Sequence, residues 1–206
     1  MPTLRPRRED YSESTRQALV DSAVALFTKQ GYAATSLDAI AKRARVTKGA
    51  LYHHFSGKQA VFEAAFSAVE KAVLARLGEI VTGPGTPWDR AVSGLQAYVQ
   101  VCLEPSYQRI AIHEGPVVMG WERWREAEEH FSFGLVKSAI EALIAAGEID
   151  DLPLEVTARI LFGALQTGAA IIAGADNPKQ ASTEVSRTII RVLEGMRVPP
   201  TPDPLR

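Results

Sequence analysis

The sequence predicts an all-α fold, with an N-terminal three-helix domain containing a helix-turn-helix and a larger helical domain after it. Three observations carry this. Apolar residues recur at helical spacing, and no stretch alternates as a half-buried strand would. Gly and Pro cut the pattern into helix-length pieces at Gly31, Gly83-Pro84-Gly85, Glu104-Pro105, Gly115-Pro116, Gly147 and Asn177-Pro178. Capping side chains stand where pieces begin, as in Thr35-Ser36-Leu37-Asp38, Thr47 and Thr86-Pro87-Trp88-Asp89.

The first helix is expected over Ser12–Gln30. Leu19, Ala23, Leu26 and Phe27 form its inner stripe, and Gly31 stops it. The second starts at Thr35, whose side chain is expected to take the Asp38 N–H in a capping box. Leu37, Ile40, Ala41 and Ala44 form its apolar face. Arg45-Val46 leaves that helix, and Thr47 caps a third, Lys48 to about Phe55. Leu51 and Phe55 point inward on it, while Gly49 and His53 face out, flanked by Lys48 and Tyr52. Eight residues at about 1.5 Å each give roughly 12 Å, a length that suits a DNA major groove. Ser56-Gly57-Lys58-Gln59 reads as another capping box and opens a long helix, Gly57 to about Val81. Its apolar side is Val61, Phe62, Ala65, Phe66, Val69, Val73 and Leu77.

Beyond Gly83-Pro84-Gly85, a capped helix runs from Pro87 to about Leu103. A short helix follows over Pro105–Glu114. Met119–Ala146 reads as one long helix closed by Gly147. Pro153–Ala173 is unusually apolar, with Gly163, Ala164, Gly168, Ala169 and Ala170 among Ile and Leu. The last helix opens at Asn177-Pro178 and carries a stripe of Val185, Thr188, Ile189, Val192, Leu193 and Met196. The proline-rich end from Val198 reads as a loose tail.

Composition narrows the function. Hydrophobic content of 46% and charged content of 23% suit a globular chain with a real core. Residues 1–60 hold ten Lys/Arg against five Asp/Glu, and residues 61–206 hold thirteen against nineteen. The basic third suits one DNA-binding end, and the acidic remainder argues against a nucleic-acid coat. The basic start Leu4-Arg5-Pro6-Arg7-Arg8 has no apolar run after it, so no signal peptide is expected; it reads as a solvated tail or an arm that touches DNA. No run of about 18 apolar residues is apparent, so no membrane span is expected. Cys102 is alone, which excludes an intramolecular disulfide and points to the cytoplasm and a buried structural thiol.

The run VTKGALYHHFSGK resembles the helix-turn-helix of the TetR family of one-component repressors. So do Phe27-Thr28-Lys29-Gln30-Gly31-Tyr32 and the Thr35-Ser36-Leu37 start. The likeness covers residues 12 to 62. It implies a DNA-binding domain over residues 1–56, a helical regulatory and dimerisation domain over 57–198, and a tail over 199–206. It also implies repression relieved by a small molecule. The DNA contacts it points to are Thr35, Ser36, Thr47, Lys48, Gly49, Tyr52, His53 and Lys58. Of these, Thr47, Lys48, Tyr52 and Lys58 suit phosphates, and Gly49 and His53 suit base edges.

One recognition helix contacts few bases, so a homodimer reading a near-palindromic double-stranded operator is expected, with half-site centres roughly 34–36 Å or a multiple apart. The last two long helices are expected to pack on their symmetry mates through Leu161, Ala164, Leu165, Gly168, Ile172, Val185, Ile189, Val192 and Leu193. The alternative is that they complete the monomer core.

Tyr107–Phe133 holds five of the fifteen aromatics. It reads either as an aromatic core, with Arg109 paired to an acid such as Glu114, or as the lining of a small-molecule cavity. The second reading gives an apolar, aromatic or lipid-like effector touching Arg109, His113, Trp121, Trp124, Phe131 and Gln166. A sister hypothesis is an all-helical enzyme or small-molecule-binding protein whose helix-turn-helix is only structural. It would need a catalytic or metal set, and none stands out. Gly83-Pro84-Gly85 follows a helix and lacks a phosphate loop's spacing. His53 and His54 diverge on a helix, and His113, Glu114 and His130 match no usual ligand spacing. The run Glu126, Glu128, Glu129 reads as a solvated face. No catalytic residue, metal or cofactor is expected.

Overall fold

A computed structural model describes residues 6–198, with side chains from Tyr11 onward. The side chains of the basic arm and the tail beyond Val198 lie outside the described residues. Among the described residues the chain is helical, with one isolated antiparallel bridge between Ile149 and Arg197. The helices are α1 (Pro6–Ala34), α2 (Leu37–Ala44), α3 (Lys48–His54), α4 (Lys58–Val81) and α5 (Pro87–Val101). A π-helical segment π1 (Tyr107–Glu114) leads into α6 (Gly115–Met119) and α7 (Trp121–Glu128). A second, π2 (Glu129–Phe133), leads into α8 (Gly134–Ala145), α9 (Leu154–Gly174) and α10 (Pro178–Glu194).

Packing divides the chain into two units. The first holds residues 1–72 and 104–127; the second holds 73–103 and 128–206. The segment 104–127, expected from sequence in the regulatory domain, therefore packs with the N-terminal helices.

The first unit is built on buried Leu19, Ala23 and Phe27 of α1, Ile40 of α2, Leu51 of α3 and Val61, Phe62 and Phe66 of α4. Phe27 and Phe62 meet edge to face at 5.3 Å between ring centroids, and Tyr32 meets Phe62 at 5.4 Å. Such pairs add to the burial of each ring. Tyr107, Ile110 and Ala111 of π1 are buried in the same unit. The indole N–H of Trp124 donates to the Ala111 carbonyl at 2.9 Å. Its ring leaves no room for a Cβ at Gly115, which would stand 2.7 Å from Trp124 Cδ1.

The second unit joins α5, α8, α9 and α10. Thr86 caps α5, with the reciprocal Asp89 bond that the sequence promises. Asn177 caps α10 by accepting the Gln180 N–H. The bridge at Ile149–Arg197 ties the α8–α9 connection to the end of α10, and Arg197 stacks over Trp88 at 4.3 Å.

Two expectations need correcting. The helix read over Met119–Ala146 is broken at Gly120, whose φ of +85° and ψ of 148° no helix contains, and again by π2. Gly115-Pro116 does not stop a helix; it opens α6, because proline at a first helical turn lacks only a donor that has no partner there. Among the described residues α9 is the one helix long and apolar enough, by length and composition alone, to cross a bilayer. Here Thr157, Ala158, Leu161, Ala169 and Ile172 of α9 are buried in the second unit.

Candidate nucleic-acid interface

The interface is assembled by short-range bonds that fix two small helices. At its near end α1 breaks at Gly31, which adopts φ +82° and ψ 170°, a region that essentially only glycine populates. The N-cap of α2 is Ser36, not Thr35; the Ser36 hydroxyl accepts the Ala39 N–H at 3.1 Å. Thr35 is only 1% exposed. Its hydroxyl is drawn inward, donating to the Gly31 carbonyl at 2.7 Å and accepting from Gln30 Nε2 at 3.2 Å. The Thr35 side chain is thus withdrawn from the surface where a DNA contact was expected.

The turn between α2 and α3 rests on Arg45 in the left-handed region, φ 59° and ψ 36°. Its N–H and that of Val46 close on the last carbonyls of α2, including Val46 N to Ala41 O at 3.0 Å. Thr47 then caps α3, accepting the Ala50 N–H at 3.1 Å. Leu51 and Phe55 are buried, and Arg16 of α1 stacks over the Phe55 ring at 5.4 Å. Burying that face forces the other outward: Thr47, Lys48, Gly49, Tyr52 and His53 are all exposed, Tyr52 by 51%. A Cβ at Gly49 would meet nothing closer than Thr47 Oγ1 at 3.9 Å, so the space in front of α3 is open there.

Two of the expected phosphate-binding cations already have partners. Lys48 Nζ lies 2.8 Å from Asp38 Oδ1, linking α3 to α2 across the turn. The hydrogen bond that Lys48 donates to Asp38, then the Asp38 charge, raises the Lys48 pKa above the ordinary lysine value, so the ammonium stays charged. Lys58 is half-buried; its Nζ sits 4.3 Å over the Tyr32 ring and donates to the Ala33 carbonyl at 3.2 Å. Lys58 therefore holds the Gly31–Thr35 turn. Sequence reasoning passed over Lys42, Arg43 and Arg45, exposed cations on α2 and its turn; the charge count of the first sixty residues was the signal for them. His53 and His54 are edge to face at 5.3 Å, and no group of three or more metal-ligating side chains occurs among the described residues.

The expected effector residues divide between the units. Arg109, His113, Trp121 and Trp124 belong to the first, Phe131 and Gln166 to the second. Arg109 pairs with Glu114 at 3.8 Å, as the core reading has it, and Trp124 is held by Ala111 and Gly115. Trp121 stacks on Trp124 at 5.0 Å and is 63% exposed. His113 is exposed.

The expected dimer residues divide too. Leu161, Gly168, Ile172, Ile189 and Leu193 are buried within the chain, where Gly168 seats Val185: a Cβ there would stand 2.7 Å from Val185 Cγ1. Ala164, Leu165 and Val185 are half-buried and Val192 is 53% exposed. On α9 and α10 the large apolar side chains left uncovered are Val156, Ile160 and Ile171, at 57%, 67% and 54%, and Val192.

Comparison with known proteins agrees with this geometry. Residues 19–65 match the family model for bacterial regulatory proteins of the tetR family, and residues 88–196 match that for a tetracyclin repressor-like C-terminal domain. The TetC protein of transposon Tn10 from Escherichia coli is 28% identical over 159 residues, covering 76% of this chain and 79% of its own. The icaADBC negative transcriptional regulator IcaR of Staphylococcus aureus is 40% identical over 48 residues, 23% of this chain and 26% of IcaR. The crystal structure of a TetR-family transcriptional regulator from Pectobacterium atrosepticum superposes with a TM-score of 0.84 at 28% identity, covering 96% of this chain and all of that one. The chain belongs to the TetR family of transcriptional regulators, and α2 and α3 are its DNA-binding helix-turn-helix.

Proposed function

We propose that the protein is a homodimeric repressor that reads a near-palindromic operator and releases it on binding a small apolar or aromatic molecule. The observation that carries the reading is the exposed face of α3, where Lys48, Gly49, Tyr52 and His53 stand together on a helix whose both ends are fixed. Lys48 and Tyr52 hold phosphates; Gly49 and His53 face base edges; Lys42, Arg43 and Arg45 add charge along the backbone. The role of IcaR as a negative transcriptional regulator supports repression as the outcome.

Dimerisation is supported by the uncovered apolar side chains of α9 and α10, which a second copy would bury. Among the expected effector contacts, Trp121 is the strongest, because its indole is exposed beside a fixed Trp124. Release requires only that the effector bind the two states with different affinity; a coupling of about 3 kcal/mol, on the order of 150-fold, makes a useful switch.

Operator selection from genomic fragments with purified protein tests the reading. The selected site should be a near-palindrome, bound with a steep salt dependence. Tyr52→Ala should weaken binding to all sequences by a similar factor, and His53→Ala should change sequence preference. Full operator affinity in a Tyr52→Ala/His53→Ala protein would sink it. Inducers found by relief of binding should quench tryptophan fluorescence, and an unchanged dose response in Trp121→Ala would move the effector site elsewhere.

A further inference from the structure

The turn that delivers the chain into α2 is held from an unexpected quarter. Gly31 breaks α1 and leaves the Tyr32 N–H aimed away from the helix axis. The Glu114 carboxylate, at the end of π1, accepts that N–H with both oxygens, each at 2.9 Å. The Glu114 side chain is 19% exposed, and Arg109 lies 3.8 Å from it. A Cβ at Gly31 would stand 2.7 Å from Glu114 Oε1 and 3.0 Å from Arg109 Nη1. Glycine is thus required twice, by its backbone angles and by the seat it leaves for Glu114. From that seat the bonds run directly to the reading helices: Thr35 Oγ1 to the Gly31 carbonyl, Thr35 N–H to the Tyr32 carbonyl at 3.2 Å, and then the Ser36 cap of α2.

We propose that Glu114 is the positioning residue through which the segment 104–127 sets the orientation of α2 and α3, with the Gly31–Tyr32 seat as its receiver. The segment enters and leaves the first unit at residues 104 and 127, and π1 and π2 lie beside those two crossings. Any change that rotates π1 withdraws the carboxylate from Tyr32 and frees the turn. The effect on DNA rests on the repressor reading above; the seat itself does not.

The test compares full-length wild type, Glu114→Gln and Glu114→Ala. Glutamine keeps the shape and one acceptor oxygen without the charge, so it remains informative if alanine compromises folding. Hydrogen exchange should quicken at Tyr32 and through Ser36–His54 by roughly tenfold in Glu114→Ala, the low end for a hydrogen bond to a charged acceptor, with Glu114→Gln between. The dissociation constant for the operator selected by wild type should rise about fivefold or more. The slope of affinity against salt should not change, because no phosphate contact is lost. Gly31→Ala should reproduce the exchange pattern, and the part of its effect that comes from the clash with Glu114 should vanish in the Glu114→Ala background, leaving only the backbone strain.

Unchanged exchange at Tyr32 would overturn the proposal, as would faster exchange with unaltered operator affinity, the mark of a merely stabilising contact. If wild type selects no operator, the repressor reading fails, and the seat is judged on exchange alone. Quickening that spreads into α2 and α3 then supports it, and quickening confined to Tyr32 overturns it.

Discussion

Single side chains decide how well the reading helix is presented. Thr47 is the sole side-chain cap of a helix only seven residues long. Thr47→Ala should cost about 1 kcal/mol and lower the melting temperature by roughly 2–4 °C in calorimetry. Asp38 acts in the opposite sense, holding Lys48 and adding negative charge beside the docking surface. Asp38→Asn should leave the melting temperature nearly unchanged, because both partners are exposed, and should tighten binding to any DNA in a salt-titrated filter assay. Because the folded-state pKa of Lys48 is raised, whatever stability the pair supplies is present below the ordinary lysine range and disappears as pH rises through the raised value. At this scale the sequence was readable where the chemistry is local. Thr47, Thr86 with Asp89, and Asn177 cap as their spacing says. The cap of α2 fell one residue off because the Thr35 hydroxyl is claimed by the Gly31 carbonyl, a competitor that depends on an irregular backbone at Gly31 and leaves no mark in a capping pattern.

Helices were legible wherever a single apolar stripe met a clear stop, as in α4, α5 and α10. The region from Tyr107 to Phe133 was not. A π-helical turn shifts the side-chain phase by a fraction of a turn, and that shift is indistinguishable from noise in a short mixed sequence. Gly120 sits in a charged aromatic run that still scores as helix around it. Just after this region, Arg159 of α9 holds π2 in place: it bonds Glu129 and Glu155 at 2.8 Å each and stacks over Phe133 at 4.6 Å, while Lys137 also bonds Glu155 at 2.8 Å. The Lys137 hydrogen bond foremost, helped by both cations' charges, lowers the Glu155 pKa below the ordinary glutamate value. Stability from this lowered pKa is present above the unfolded glutamate value and is lost as pH falls through the folded one. Carboxyl-detected NMR should find Glu155 titrating below the ordinary glutamate value. Lys137→Ala should return it toward that value, and added salt should narrow the gap.

For the whole molecule, the distribution of apolar surface decides assembly. Five of the nine residues expected at a dimer contact are buried within the chain itself, because sequence periodicity marks an apolar face without saying who covers it. Val156, Ile160 and Ile171 remain uncovered, so substitutions there spare the fold. Ile160→Asp/Ile171→Asp should keep its helical circular dichroism and sediment as a monomer at micromolar concentration, and its operator affinity should collapse with the second reading head. A wild-type monomer at that concentration, or a double variant that still sediments as a dimer, would reject this interface.

The segment 104–127 has a consequence for how such a protein can be cut and recombined. Its DNA-reading unit is not one continuous stretch of chain, since Tyr107, Ile110 and Ala111 are buried with the N-terminal helices. A fragment ending near residue 56 would also lack Phe62 and Phe66. It should therefore emerge as a loosely packed, protease-sensitive peptide. A chimera that grafts residues 1–72 onto a foreign effector domain inherits a Gly31 seat with nothing to fill it. Swapping 104–127 along with the N-terminal helices should restore a sharp unfolding transition. Interchangeable parts in this chain are defined by mutual burial, and their borders fall where no linear map of the gene would draw them.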